Sequence, residues 1–443
     1  MKPRNLAILL TTGLAFTATA CGGDSGSDAG GDVTITVACQ PAKTAPKQRK
    51  AWDDDVATFE KAHPGVKVKS TDQQPCFDPK TFAAKLAGGQ METVFMVPVT
   101  NYADVIAKKQ AKDITASTGL VKNYGDIKQD VRDMVTKDGK VYGVPNVSYS
   151  VGLVYNRALF EKAGLDPDNP PKTWDEVRTA AKKIAGLGDG YTGYGEYGGG
   201  NTGGWHFAQA LFSRGGEMVS GGKAAFDSPE GKAVLQTLHD MRWKDDSTGS
   251  KLLIGWESLM QQMAAGKTGM MLGAPDVVTD VVQKFQGKPE DYGITGIPDG
   301  KASLTGGEAY MVNPKASAAQ TKAALEWIDF EFNTPGKGRF DFGRGKLNGE
   351  AVGVPNNDYM GDSPTGKKIA EDRKASAVLP VANYEPYVDT SAGVEAKLEP
   401  EKAQELYAVL DVAMSAVLTR ENADIDKLLS DASTKANAIL AKS

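Results

Sequence analysis

Val141-Tyr142-Gly143-Val144-Pro145 leads into Tyr149-Ser150-Val151-Gly152-Leu153-Val154-Tyr155-Asn156. The stretch is apolar and strand-like. It follows one region of alternating strands and helices and precedes another, so it predicts a crossing between two domains. A length of 443 residues fits that division. Upstream, Val33-Thr34-Ile35-Thr36-Val37-Ala38 alternates with β-branched residues and predicts a strand. Trp52, Val56, Phe59 and Ala62 recur at helical spacing within 48–63, and Pro64-Gly65 ends that helix. Val66–Lys69 and Thr93–Val97 predict further strands, with helices from Thr81 and from Tyr102. Strands alternating with helices imply an α/β domain with a mainly parallel sheet.

Downstream, Thr173 is a sensible N-cap and Glu176 stands at the capping-box position, ahead of Val177, Ala180, Ala181 and Ile184. Later helices are expected over Trp205–Arg214, Ser228–Trp243, Ser258–Ala265, Val277–Phe285, Ala318–Asn333, Pro400–Leu418 and Ile425–Ala441. Between helices, Gly188-Asp189-Gly190-Tyr191-Thr192-Gly193 is formally a G-x-G-x-x-G. That fingerprint has meaning only after a strand and at a helix start. Here it follows a helix and runs into more glycine, so it reads as a binding loop.

The N-terminus carries Lys2 and Arg4, then an apolar run from Leu6 to Phe16, then Ala18-Thr19-Ala20 before Cys21. That is the pattern of a secretory signal over 1–20, too short for a comfortable membrane span. Cys21 at the cleavage point is expected to be lipidated, and 21–32 is a Gly/Ser/Asp tether with nothing to bury. Three cysteines look odd for a secreted chain until Cys21 is assigned to lipid. Cys39 and Cys76 then remain, each just past an apolar β-branched run, and are expected to form a disulfide.

Net charge is −5, and −7 without the first twenty residues (49 basic against 56 acidic). An acidic chain without a basic cluster is a poor partner for nucleic acid or anionic lipid. His63, His206 and His239 are far apart, and neither H-x-x-x-H nor C-x-x-C spacing occurs, so no metal and no cofactor is expected. No G-x-S-x-G elbow is present, and Asp53-Asp54-Asp55 and Asp245-Asp246 read as solvated charge.

Three linked blocks carry a resemblance: Gly139–Pro145, then Val154–Leu165, then Pro170-Pro171-Lys172-Thr173-Trp174-Asp175-Glu176. Ser213-Arg214-Gly215-Gly216, Gly273-Ala274-Pro275-Asp276 and Thr305-Gly306-Gly307-Glu308 extend it. From Val33 to its end the chain resembles the bacterial extracellular solute-binding protein family 1, sugar-binding lipoprotein components of ABC importers. Leu347 to Leu398 shows little of the pattern.

The resemblance implies a two-lobe periplasmic-binding-protein-like fold of type II, with ligand held between α/β lobes. It implies crossings at 147–151, 292–294 and 312–314. The N-terminal lobe would be 33–147 plus 294–312, and the C-terminal lobe 152–291 plus 314–443. It implies a monomer that closes by hinge motion on a small solute, most simply a sugar, and delivers it to membrane permease subunits. A sensor or adhesion protein on the same fold is the alternative, and a secreted glycoside hydrolase a more distant one.

A sugar needs flat aromatic faces for its C–H surfaces and polar groups for its hydroxyls. Trp205 is the candidate stacking platform and Tyr149 the cleft residue of the first crossing. Asp276 should accept from hydroxyls; its structural alternative is helix capping. Gly306 and Gly307 allow close backbone approach, with Glu308 beside them. Thr100, Asn101 and Gln40 are the polar candidates of the first lobe. Tyr384 and Tyr387 are candidates to close the cleft from the C-terminal side.

Overall fold

A computed structural model describes residues 32–71, 76, 79–196, 198, 202–249, 252–355, 358–391 and 393–442. The signal segment, Cys21 and nearly all of the tether lie outside the described residues.

In chain order the elements that position the site begin with β1 (Val33–Val37), α1 (Pro46–Ala62), β2 (Val66–Ser70), β3 (Val94–Pro98) and β4 (Val144–Ser150). Next come β5 (Gly152–Asn156), α2 (Trp174–Ala185), β6 (Thr192–Tyr194), α3 (Thr202–Ser213), β7 (Thr268–Gly273), α4 (Asp276–Gln283) and β8 (Tyr292–Gly296). They end with β9 (Ala302–Val312), α5 (Ala318–Phe332), α6 (Glu385–Ser391), β10 (Glu395–Lys397) and α7 (Ala403–Thr419).

One sheet runs β10-β9-β3-β1-β2, with β4 also on β9; the other runs β8-β5-β7-β6. Each is buried on both faces. Val94 and Met96 enter one core while Phe95 and Val97 enter another. Leu153 and Tyr155 face one core of the second sheet, and Val154 faces the opposite one. Double burial is why these strands read as continuous apolar runs rather than as polar–apolar alternation. The α2 capping box is formed: the Thr173 hydroxyl accepts from the Glu176 amide, and the Glu176 carboxylate accepts from the Thr173 amide.

Three expectations need correction. The sheets are mixed rather than mainly parallel. β1 runs parallel to β2 and β3, but β9 is antiparallel to β3 and β4, and β5 is antiparallel to both β7 and β8. Strands next to a crossing run back against those that precede it.

The lobe boundaries also differ. β8 pairs only with β5, so 292–296 belongs to the second sheet. β9 spans both lobes: Ala302 and Leu304 lie in a second-lobe core, while Tyr310 and Val312 lie in a first-lobe core. The crossing there lies within one strand, not between two.

Finally, α5 does not start the second lobe at 314. Trp327 and Ile328, with Phe340, Tyr359 and Ile369 beyond, pack into the first-lobe core beside Trp52 and Phe59. The chain touches the second-lobe core at Val354 and returns to it at Leu379. α5 is buried on most faces of its later turns, Asp329 and Glu331 included, and such a helix does not say from its own sequence which sheet it covers.

The Cys39–Cys76 disulfide is present, with Cα atoms 4.7 Å apart and a sequence separation of 37. Closing a loop of that length restricts the unfolded chain by about 3–4 kcal/mol. The Cys39→Ser/Cys76→Ser variant is expected to lose that much stability in urea unfolding against the oxidised protein. An unchanged midpoint would mean that the bridge does not form.

Candidate functional site

The site lies where β4 and β9 carry the chain between the sheets. Tyr149 stands near the end of β4, directly opposite Gly306 of β9. A Cβ at Gly306 would fall 2.3 Å from the Tyr149 ring, and one at Gly307 would fall 2.4 Å from the Val147 carbonyl oxygen. The two glycines therefore let β4 lie flat and the Tyr149 ring lie across β9. Their open side is filled by protein rather than by a solute.

The charges acting on the Tyr149 hydroxyl are those of Asp276, Glu399 and Glu308. Burial, with these carboxylates, raises its pKa well above the ordinary phenol value. One aromatic ring at the crossing is thus surrounded by carboxyls from both lobes.

On the first-lobe side, Glu308 of β9 accepts from Arg339 Nη1 at 3.1 Å. Buried Asn146 completes the group. With its amide turned to satisfy both neighbours, it donates to the Glu308 main-chain oxygen at 2.9 Å and accepts from Arg339 Nη1 at 2.6 Å. Arg339 keeps 38% of its side chain accessible. Burial works against its charge, and the Glu308 carboxylate outweighs burial.

On the second-lobe side, Asp276 opens α4 and is accessible. Dense surroundings push its carboxyl up to about 6, Asp280 adds to the effect, and the backbone amides of Asp276 and Val277 oppose it. No side-chain cap bond forms at this helix start, where Pro275 holds the N-cap position and Asp276 follows it.

Trp205 sits in the first turn of α3. A Cβ at the preceding Gly204 would fall 2.3 Å from the Tyr407 carbonyl oxygen. Only a glycine lets α3 lie on α7 there, and the Gly204 amide donates to Asp411 Oδ1 at 2.7 Å. Trp205 is half-buried, packed against both cores of the second lobe. Its indole and the Tyr407 hydroxyl both act on Glu399, whose carboxyl burial pushes up to about 7.

The other candidates divide. Thr100 and Asn101 follow β3 in a 3-10 turn, near the register position where Pro98 faces Glu308. Thr100 is exposed and donates to Asn101 Oδ1 at 3.0 Å. Gln40 does not reach the cleft: it is buried, donates to Asp53 at 2.9 Å and accepts from Arg49 at 3.0 Å, so it holds α1 to the end of β1. Tyr384 and Tyr387 are also corrected, because both are buried in a core of the second lobe. The Tyr387 hydroxyl is engaged with the backbone of Ser150.

Arg339 and Glu399 were missed in the sequence. Neither stands in a motif, and both depend on long-range packing. Among the described residues no group of three or more His, Cys, Asp or Glu could hold a metal ion, and no helix is long and apolar enough to cross a membrane.

Residues 44–337 match the family described as bacterial extracellular solute-binding protein. The chain belongs to that family. It is similar to a binding protein of Brucella abortus strain 2308, 25% identical over 440 residues that cover 98% of each chain. Among solved structures it is similar to an ABC transporter solute-binding protein of Thermotoga lettingae bound with α-D-tagatose. That match has a TM-score of 0.70 and 22% identity, covering 92% of this chain and 100% of the other. It is also similar to UgpB of Mycobacterium tuberculosis in complex with glycerophosphocholine, with a TM-score of 0.69 and 16% identity, covering 93% of this chain and 100% of the other.

As a family member the chain is a solute-binding protein of ABC importers with the two-lobe periplasmic-binding fold. Tyr149, Trp205, Asp276, Glu308, Arg339 and Glu399 offer an aromatic face, carboxyl acceptors and one guanidinium.

Proposed function

We propose that this solute-binding protein captures a sugar between its lobes and delivers it to an ABC permease while tethered to the membrane through lipidated Cys21. The observation that carries the sugar is the pairing of Trp205 and Tyr149 with carboxyls from both lobes. An aromatic face takes the C–H surface of a pyranose, and carboxylates and the Glu308–Arg339 pair take its hydroxyls. The tagatose bound to the Thermotoga lettingae protein supports a sugar on this fold. The reaction is capture and release, with no bond made or broken.

The pH dependence of binding tests it. Sugar hydroxyls donate to carboxylates in their ionised form. Asp276 and Glu399 titrate near 6 and 7 in the free protein. Affinity for the sugar is therefore expected to rise as pH passes upward through 6 and 7 and to level above, with Kd falling about tenfold or more from pH 5 to pH 8. Asp276→Asn should weaken binding and remove the lower part of this profile. A Kd that is flat or grows with pH would contradict hydroxyl recognition by these two groups. Folding has the opposite sign: both folded pKa values lie above the ordinary carboxyl range, so these groups favour the fold at low pH and lose that contribution as pH rises through 6 and 7. Mass spectrometry of the membrane-extracted protein checks the anchor, expected as diacylglyceryl on an N-terminal Cys21.

A further inference from the structure

Two glycines beside the crossing strands point to a mechanical element. Gly152 begins β5 and Gly296 ends β8, and the two stand directly opposite one another. A Cβ at Gly152 would fall 2.3 Å from the Thr295 carbonyl oxygen of β8 and 3.1 Å from the Tyr387 ring, and one at Gly296 would fall 2.6 Å from Thr390 Oγ1. The pair is a flat seat, and α6 lies in it.

The contacts made from that seat are specific. The Tyr387 hydroxyl donates to the Ser150 carbonyl at 2.7 Å and accepts from the Ser150 amide at 3.2 Å, so it grips the last residue of β4 by both backbone groups. Thr390 Oγ1 accepts from the Gly296 amide at 2.7 Å, at the end of β8. Just ahead, Asn383 Nδ2 donates to the Tyr292 carbonyl at 3.1 Å, at the start of β8. Just beyond, β10 pairs in parallel with Ala302–Leu304, the second-lobe half of β9. Two residues past β10 stands Glu399, acting on Trp205 and on Tyr149 in the cleft.

We propose that residues 383–391 and 393–397 form a hinge strap that seats on the glycine pair, ties the two crossing strands β4 and β9 to β8 of the second sheet and sets how far the lobes open. Tyr387 and Thr390 are its positioning residues. The segment lies outside residues 44–337, the span that matches the family. Opening must bend β4 and β9, which cross between the lobes, relative to β8, which stays in the second sheet. A segment bonded to all three resists that bend as a unit and moves Glu399 when it yields. Its role in transport rests on the solute-binding reading, but the mechanical linkage is testable without any solute.

The test is amide hydrogen exchange on the purified, solute-free full chain, with spin labels on exposed residues of the two lobes to read the interlobe distance distribution. Tyr387→Phe removes the hydroxyl that Ser150 uses. Exchange at Ser150 is expected to quicken about tenfold. If the strap acts as a unit, exchange at Gly296 also quickens although its own acceptor remains, and the interlobe distribution broadens. Thr390→Val is the reciprocal variant, expected to quicken Ser150 as well as Gly296, and it keeps the test available if Tyr387→Phe does not fold. Quickening confined to the amide that lost its acceptor, with an unchanged distance distribution, would overturn the strap and leave two local hydrogen bonds. Neither outcome depends on which solute binds.

Discussion

Trp205→Ala is expected to raise the Kd for the sugar by about 100-fold while the chain stays folded. Truncating a large aromatic anchor in a binding site costs about 2–4 kcal/mol, roughly 30- to 1,000-fold in affinity. Trp205 has the position for that effect: it is half-buried at the start of α3, beside the Glu399 carboxyl. It also packs against both second-lobe cores, so its loss should lower the melting temperature as well. Trp205→Phe separates the two roles, since it keeps a stacking face and loses the indole N–H. Calorimetric titration of both variants, with circular dichroism for folding, checks this. A folded Trp205→Ala protein with wild-type affinity would make the residue a core anchor only.

Trp327→Ala is expected to cost about 3–5 kcal/mol in unfolding free energy, the range for deleting a large aromatic from a core. Trp327 is fully buried and meets Trp52 and Phe59 edge-on, with ring centroids 5.5 and 5.2 Å apart. Its indole nitrogen is buried without a hydrogen-bond partner, so truncation breaks no polar bond there. Against a usual total of roughly 5–15 kcal/mol, that loss would leave the first lobe marginal. Denaturant unfolding measures it. The site residues stand on other elements, so the affinity of the folded fraction should change little. A cost below about 1 kcal/mol would take α5 out of the first-lobe core.

Much of the fold was legible because its signals are local. Thr173 and Glu176 lie three residues apart and form the capping box that spacing implies. Val94–Pro98 reads as an apolar run because its side chains enter cores on both faces, and Val33–Val37 alternates because Val33, Ile35 and Val37 turn to one core. Cys39 and Cys76 lie just beyond β1 and β2, whose residues pair in register, and that pairing brings the two sulfurs together.

The errors share a cause too. The sequence of α5 shows a helix but not the sheet beneath it. The resemblance implied a crossing at 312–314 but not that the two halves of β9 enter different cores. Tyr384 and Tyr387 were misread because a tyrosine in an apolar stretch is chemically suited both to a core and to a cleft. Only tertiary packing decides, and here it buries both. Gln40 was misread for the complementary reason: its polar ends are satisfied by Arg49 and Asp53. Arg339 and Glu399 stand in no motif and become neighbours of the site only through β9 and α7.

The most direct test of sugar capture is a thermal-shift titration of the purified chain with mono- and oligosaccharides, against glycerophosphocholine, amino acids and polyamines. A ligand at about 100 times its Kd stabilises the folded state by about 2.7 kcal/mol. For a chain of this length that moves the midpoint by a few degrees. The expected result is a saturable rise with one family of sugars and none with the other solutes. A folded protein that responds to no sugar, or only to glycerophosphocholine, would contradict it.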